Sequence, residues 1–268
     1  MKSEQKKALA HFLDISKAFI GSRYDFSPAQ YEFEDDVDEP SVAAVEAVSM
    51  DSAVKTSTAP EQERRDYKAE LSAIAQDVRA CTGCRLCEKR KNAVPGEGVP
   101  RPLVLVLGEG PGADEDASGR PFVGKAGQLL DKMLLSIGMS REKNCFIANV
   151  VKCRPPENRD PLPDETGACN HFLERQIDLL KPLAILSVGR IPTKTLLRTE
   201  EGITKLRGVW KDYKGTPFLP TFHPSYLLRD ESQKPAAWED LKSLCRKIAQ
   251  LDSVYAAQTE DLRKNRNI

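Results

Sequence analysis

Four short apolar runs constrain this chain more than anything else in it: LVLVLG at 103–108, CFIANVV at 145–151, LAILSVG at 183–189 and FLPTF at 218–222. Each is only a few residues long and is bounded by turn-forming sequence, so each reads as a buried strand. The stretches around them have helical texture: 66–81, 125–138, 164–181, 191–198 and 236–251. Pro182 ends the third of these, and Pro192 sits in the first turn of the fourth. Strands alternating with helices predict an α/β fold, a three-layer α/β/α sandwich around a central, mainly parallel, four-stranded sheet. Ligands of such sheets bind beyond the carboxyl ends of the strands. Three of those ends carry chemically distinctive residues, namely Gly108 to Gly112, Asn149 to Cys153 and His223 to Arg229. They are expected to converge on one side of the sheet.

The first 62 residues have a different character. Residues 4–20 place Ala8, Phe12, Ile15 and Phe19 on one helical face, and residues 28–62 run acidic and without a pattern. This reads as an N-terminal helix followed by a disordered linker, a flexible extension of the fold. Residues 1–60 carry six basic and eleven acidic side chains, a balance of −5 within a chain of 40 of each, so the body is modestly basic behind an acidic arm. Zero overall charge excludes a uniformly basic nucleic-acid binder, whereas the asymmetry suits a basic face that meets nucleic acid. The expected domains are 1–62, a body over 63–254, and a polar C-terminal tail over 255–268. No run approaches eighteen apolar residues, which argues against a membrane span, and the amphipathic N-terminus does not read as a signal peptide. The expected location is cytoplasmic.

Seven cysteines in a chain of this kind argue against a disulfide framework. Cys81, Cys84 and Cys87 form a local cluster, and Cys153 and Cys169 lie in and after the loop that follows the second strand. Cys145 and Cys245 sit in apolar patterns and read as small buried hydrophobes. Four thiolates can close a zinc site or hold an iron–sulfur cluster. The lack of a second distant Cys-x2-Cys pair tilts the reading towards iron–sulfur, and spacing alone leaves both open.

Four stretches then combine: Cys81-Thr82-Gly83-Cys84-Arg85-Leu86 with VPGEG at 94–98; GEGPG at 108–112 with GRPFVGKAGQLL at 119–130; NVVKCRPPENRDPLPDE at 149–165; and FHPSYLLR at 222–229. In this order they closely resemble the family 4 uracil-DNA glycosylases, the iron–sulfur branch of that superfamily, over roughly residues 78–250. The resemblance implies a base excision repair hydrolase that extrudes uracil from single- or double-stranded DNA and cleaves its glycosidic bond. It implies a 4Fe–4S cluster on Cys81, Cys84, Cys153 and Cys169, with a structural role and with Cys87 as a bystander.

The resemblance also assigns roles. Glu109 positions or activates water and favours the cationic sugar, Gly110 lines the site, and Phe122 stacks on the flipped base. Asn149 reads uracil by donating to O4 and accepting from N3–H, a pattern that cytosine reverses. His223 stabilises the departing anion. Glu115 is an acidic position near the pocket, and its turn, Asp114 to Asp116, is a candidate for excluding thymine. Ser225 contacts phosphate, while Leu227, Leu228 and Arg229 wedge into the gap and hold the backbone. Lys152, Arg154, Arg159, Lys205 and Arg207 add candidate backbone contacts. The partners expected are uracil-containing DNA, no membrane, and a candidate protein partner for the acidic arm of a monomer. The alternative is a non-catalytic or covalently trapping iron–sulfur member of the superfamily. Residues 204–210 offer no histidine for trapping, and the intact set of Glu109, Phe122, Asn149 and His223 argues for catalysis.

Overall fold

The structure, a computed structural model, describes residues 66–266 and 268; the N-terminal helix and acidic linker expected over 1–62 lie outside the described residues. Helix α1 (Tyr67–Ala80) opens the body, with the Asp66 carboxylate capping it by accepting from the backbone N–H groups of Lys68 and Ala69. The elements that follow are β1 (Glu97–Gly98), β2 (Val104–Gly108), α2 (Ala113–Ser118), α3 (Lys125–Leu135), β3 (Cys145–Asn149), α4 (Pro163–Leu180), β4 (Ala184–Val188), α5 (Arg190–Leu197) and α6 (Ile203–Leu206). The hairpin β5 (Lys211–Tyr213) and β6 (Thr216–Thr221) precedes α7 (Pro224–Arg229), α8 (Lys234–Leu251), α9 (Ser253–Gln258) and α10 (Glu260–Asn265).

The sheet has six strands in the order β1-β3-β2-β4-β6-β5, not the expected four. The central four are the apolar runs, and they pair in parallel. The two additions are short antiparallel edges. They escape the sequence pattern for a physical reason: β5 is a largely exposed Lys-Asp-Tyr, closed by a turn with Lys214 at φ 50° and Gly215 at φ 84°, and β1 is two residues long.

Alternation along the buried strands divides the core in two. Val104, Val106, Cys145, Ile147, Leu186 and Leu219 face α3, α7 and α8. Leu105, Leu107, Phe146, Ala148, Ile185 and Phe218 face α1, α4 and α5. This is the expected three-layer sandwich. Register fixes the working edge of the sheet: Gly108 pairs with Asn149, and Val188 with Thr221, so the carboxyl ends of β2, β3, β4 and β6 finish side by side.

Two segments differ from their expected character. Residues 255–265, read as part of a polar tail, lie largely within α9 and α10. Tyr255 is buried there; its hydroxyl donates to the Ile137 carbonyl at 2.5 Å and lies 3.2 Å from Cys245 Sγ. Arg207, a candidate DNA contact, is structural. Its guanidinium bonds Asp240 and the Ala236 carbonyl, while buried Asp240 also accepts from Thr221 Oγ1 at 2.7 Å, tying α8 to the end of β6. Among the described residues no helix is long and apolar enough to cross a membrane.

Candidate active site and cysteine cavity

A cleft of about 740 Å³ opens where the four central strands end. Glu109, Gly110, Phe122, Asn149, His223 and Arg229 line it, so all three strand ends singled out in the sequence converge there.

Asn149 closes β3 and is 1 % exposed. Among the described residues its buried Oδ1 has no hydrogen-bond partner, an unusual state for a polar atom. Gly108, its neighbour across the ladder, makes room for it: a Cβ there would lie 2.4 Å from Asn149 Oδ1 and 2.5 Å from Phe122 Cζ. Any side chain at 108 would push both from the cleft floor.

Phe122 adopts φ 53°, which is costly for a residue with a Cβ, and persists because its surroundings hold it there. The buried Arg141 donates to the carbonyls of Pro121 at 2.9 Å and Phe122 at 3.0 Å. From the other side Glu115 accepts from the backbone N–H groups of Val123 at 2.9 Å and Gly124 at 3.1 Å. Gly127 of α3 abuts the Phe122 carbonyl so closely that a Cβ would lie 2.0 Å from it.

Glu115 lines the cleft, near the pocket as expected, and also holds the loop. Its second oxygen takes the Gly112 N–H at 3.0 Å, so the carboxylate is occupied in holding the loop. Asp116, in the turn proposed to exclude thymine, is buried and accepts from the Lys91 and Asn92 amides instead. Sequence reading missed Arg141, which sits in a polar stretch before β3 and gives no local signal of being buried.

His223 caps α7, and Ser225 is bound to it. The Ser225 N–H donates to His223 Nδ1 at 3.1 Å and Ser225 Oγ lies 2.7 Å from the same nitrogen. Nδ1 is thereby an acceptor, which puts the proton of the neutral ring on Nε2. Burial, reinforced by the Arg229 charge, pushes the ring's pKa down to about 4, so it is neutral at physiological pH. Its ring centroid lies 5.8 Å from that of Phe122.

Glu109 is the opposite case. Burial, and then the nearby Asp160 carboxylate, push its pKa up to about 7, against the opposing pull of Arg190. Asp160 forms an ion pair with Arg190, and both line the cleft. Neither was singled out from sequence, although Asp160 lies within the motif at 149–165.

Other expectations separate here. Leu227 is fully buried in the core, so it cannot act as a wedge; Leu228, 42 % exposed, remains available. One turn of helix presents only one of two successive leucines outward. Lys152 is 1 % exposed and cannot meet a phosphate. Arg159 lines the cleft while paired with Glu165 at 2.7 Å, and Arg154 donates to Asn158 Oδ1 at 2.8 Å.

A second cavity lies in the layer of α1 and α4. Cys81 ends α1, Cys84 precedes a short 3-10 turn (Arg85–Glu88), Cys153 follows β3 and Cys169 lies on α4. All four line the cavity, and so does Cys87. Three sulfurs accept N–H groups: Cys81 from Gly83 N at 3.4 Å, Cys153 from Arg90 Nη1 at 3.0 Å and Cys169 from Lys152 N at 3.3 Å. Burial pushes the thiols of Cys84, Cys153 and Cys169 up, the last to about 11, so thiolates there require a compensating cation. Cys145 and Cys245 are fully buried in the core of the opposite layer, as small hydrophobes.

The uracil DNA glycosylase superfamily matches residues 95–242. The chain is similar to the type-4 uracil-DNA glycosylase of Sulfurisphaera tokodaii, 45% identical over 184 residues that make up 65% of this chain and 83% of that protein. It is similar to the type-4 uracil-DNA glycosylase of Thermotoga maritima, 45% identical over 166 residues, 61% of this chain and 86% of the relative. That of Saccharolobus solfataricus is 44% identical over 184 residues, 65% and 84% of the respective chains. A sheet edge that gathers Glu109, Asn149 and His223, together with this span of likeness, places the chain in the uracil-DNA glycosylase superfamily, on its type-4 branch.

Proposed function

We propose that the protein removes uracil from DNA by hydrolysing the bond between base and deoxyribose, leaving an abasic site for base excision repair. The observation that carries this reading is the unpartnered Oδ1 of Asn149 on the floor of the cleft. A buried acceptor with no donor is costly in the free protein and is satisfied by a ligand that brings one. Uracil N3–H is such a donor, and the amide NH2 of the same side chain matches O4. Cytosine offers a bare N3 and an amino group, and mispairs with both.

The target atom is shielded inside a duplex, so the nucleotide must leave the stack to reach this floor. Phe122 then supplies the face on which the base stacks. Leu228 and Arg229, on the rim, fill the gap and hold the backbone. As the C1′–N1 bond breaks, its electron pair goes to uracil and positive charge develops on the sugar. His223 Nε2–H donates to uracil O2 and stabilises the anion; its tautomer is already set by Ser225 and needs no reorganisation. Ionised Glu109 stabilises the sugar cation, orients the attacking water and accepts its proton.

The cysteine cavity fits a 4Fe–4S cluster held by Cys81, Cys84, Cys153 and Cys169. The donors are all thiols, N–H groups already point at three of the sulfurs, and the side chains ring a void. When bound, the group would cross-link α1, the loop after β3 and α4, with no part in bond cleavage.

The decisive experiment is uracil release from a single-uracil oligonucleotide, single-stranded and opposite G or A, with thymine and cytosine controls and Asn149→Ala alongside. Uracil-specific release that is lost in the variant supports the reading. Equal turnover by the variant would sink the assignment of Asn149, and no release by protein with filled cysteine sites would sink the activity.

A further inference from the structure

Lys152 lies three residues beyond Asn149 and immediately before Cys153, and its side chain is wholly buried. An ammonium in such a place is held by the hydrogen bonds it makes. Lys152 Nζ donates to the backbone carbonyl of Asn149 at 2.9 Å and to Gln176 Oε1 at 2.6 Å. Gln176, also buried, donates through Nε2 to the Pro95 carbonyl at 2.7 Å. The relay Pro95–Gln176–Lys152–Asn149 thus joins the segment before β1, helix α4 and the last residue of β3. Lys152 also lines the cysteine cavity, where its backbone N–H donates to Cys169 Sγ at 3.3 Å.

We propose that Lys152 is a positioning residue for the uracil-reading amide. Its bond to the Asn149 carbonyl fixes the peptide plane from which the Asn149 side chain projects. This rests on the role given to Asn149 above. On the cleft side Oδ1 has no partner among the described residues, and none of them holds the amide there. The adjoining Val150 N–H is bonded to the Gly108 carbonyl, which leaves the Asn149 carbonyl as the group whose partner lies outside the sheet. Without Nζ, that carbonyl is a buried acceptor that must rotate or admit water. Either change re-aims the amide, and a misplacement of an ångström at a reacting site lowers the rate steeply.

The test uses Lys152→Met, which keeps a long apolar stem and removes the donors. Gln176→Leu removes the anchor and leaves the lysine. Each is made alone and combined with Asn149→Ala. Single-turnover uracil release yields the rate constant and the half-saturating DNA concentration separately. Thermal melts and metal per chain report folding and the cysteine site. The expected result for Lys152→Met is a rate constant lower on the order of tenfold to a hundredfold. Half-saturation stays unchanged, and the loss disappears in the Asn149→Ala background. Losses that multiply across the two sites, a rate within twofold of wild type, or an effect confined to half-saturation would each overturn the proposal. If Lys152→Met does not fold, Gln176→Leu decides by the same criterion: non-additivity with Asn149→Ala supports the relay and multiplication overturns it. Wild-type protein that releases no uracil overturns the reading of Asn149 and this proposal with it. An active wild type with multiplicative variants overturns this proposal alone.

Discussion

The two cavities of this protein lie in neighbouring parts of one fold and are satisfied to opposite degrees. In the cysteine cavity three sulfurs receive N–H groups from the protein, and Arg90 and Lys152 stand beside them. In the cleft Asn149 Oδ1 has no partner among the described residues, the Glu109 carboxyl is pushed up to about 7 and the His223 ring down to about 4. On the function proposed above, the first would hold a group permanently and the second would meet one transiently. The unmet hydrogen bond is the physical mark of the second kind, since displaced pKa values occur in both: burial pushes the Cys169 thiol up to about 11. The comparison also explains two glutamates six residues apart. Glu115 has three backbone N–H partners and organises a loop, whereas Glu109 lies beside another acid, Asp160.

The contrast breaks most directly at Asn149 and His223. Asn149→Ala and His223→Ala are expected to lower the single-turnover rate by about 10²–10³. Neither should lower the melting temperature by more than a few degrees, and Asn149→Ala removes an unsatisfied buried atom and is expected to leave it level or higher. A large loss of stability in either would erase the distinction between the two cavities.

Cys169→Ala is the converse. It is expected to deplete bound metal and to lower the melting temperature by on the order of 10 °C, with activity falling in proportion to the folded fraction. Calorimetry and metal analysis check it. A fall in turnover with the melt unchanged would give the cysteine cavity a part in chemistry.

Glu115→Gln sharpens the contrast between the two glutamates. It weakens the clamp on the Phe122 loop, and the expected cost is about 1–2 kcal/mol of stability with a roughly tenfold lower rate. Denaturant melts and release assays check both.

The smallest effect is on pH. With ionised Glu109 required, the rate falls as pH drops through about 7, while His223, already neutral, contributes nothing until near pH 4. Asp160→Asn removes the like charge and is expected to shift the acid limb to lower pH. The same displacement has a stability sign. A carboxyl raised in the folded state binds its proton more tightly there, so the native state loses stability as pH climbs from about 4.5 through about 7. Glu109→Gln is therefore expected to raise the melting temperature more at pH 8 than at pH 5.

Much of this was legible in the sequence. The four parallel strands are buried on both faces and read as unbroken apolar runs, and the convergence of their ends follows from the topology. The edge strands were hidden because polar, half-solvated residues carry no such signal. At the site, Glu109, Phe122, Asn149 and His223 stand in motifs, whereas Arg141 stands in none, and Asp160, though inside a motif, shows its part only through contacts with residues distant in sequence. Lys152 looked like a surface cation until burial showed otherwise, and Leu227 and Leu228 were separable only once the helix phase was known.

Strand β3 has one more consequence, for how this protein can change over time. Nine residues, Cys145 to Cys153, deliver the Asn149 amide to one cavity and the Cys153 sulfur to the other. Inserting or deleting a single residue inside the strand would turn the amide to the opposite face of the sheet and draw Cys153 out of reach. The segment is a gauge block between two sites. Substitutions within it can accumulate one at a time, while changes in its length have no viable intermediate.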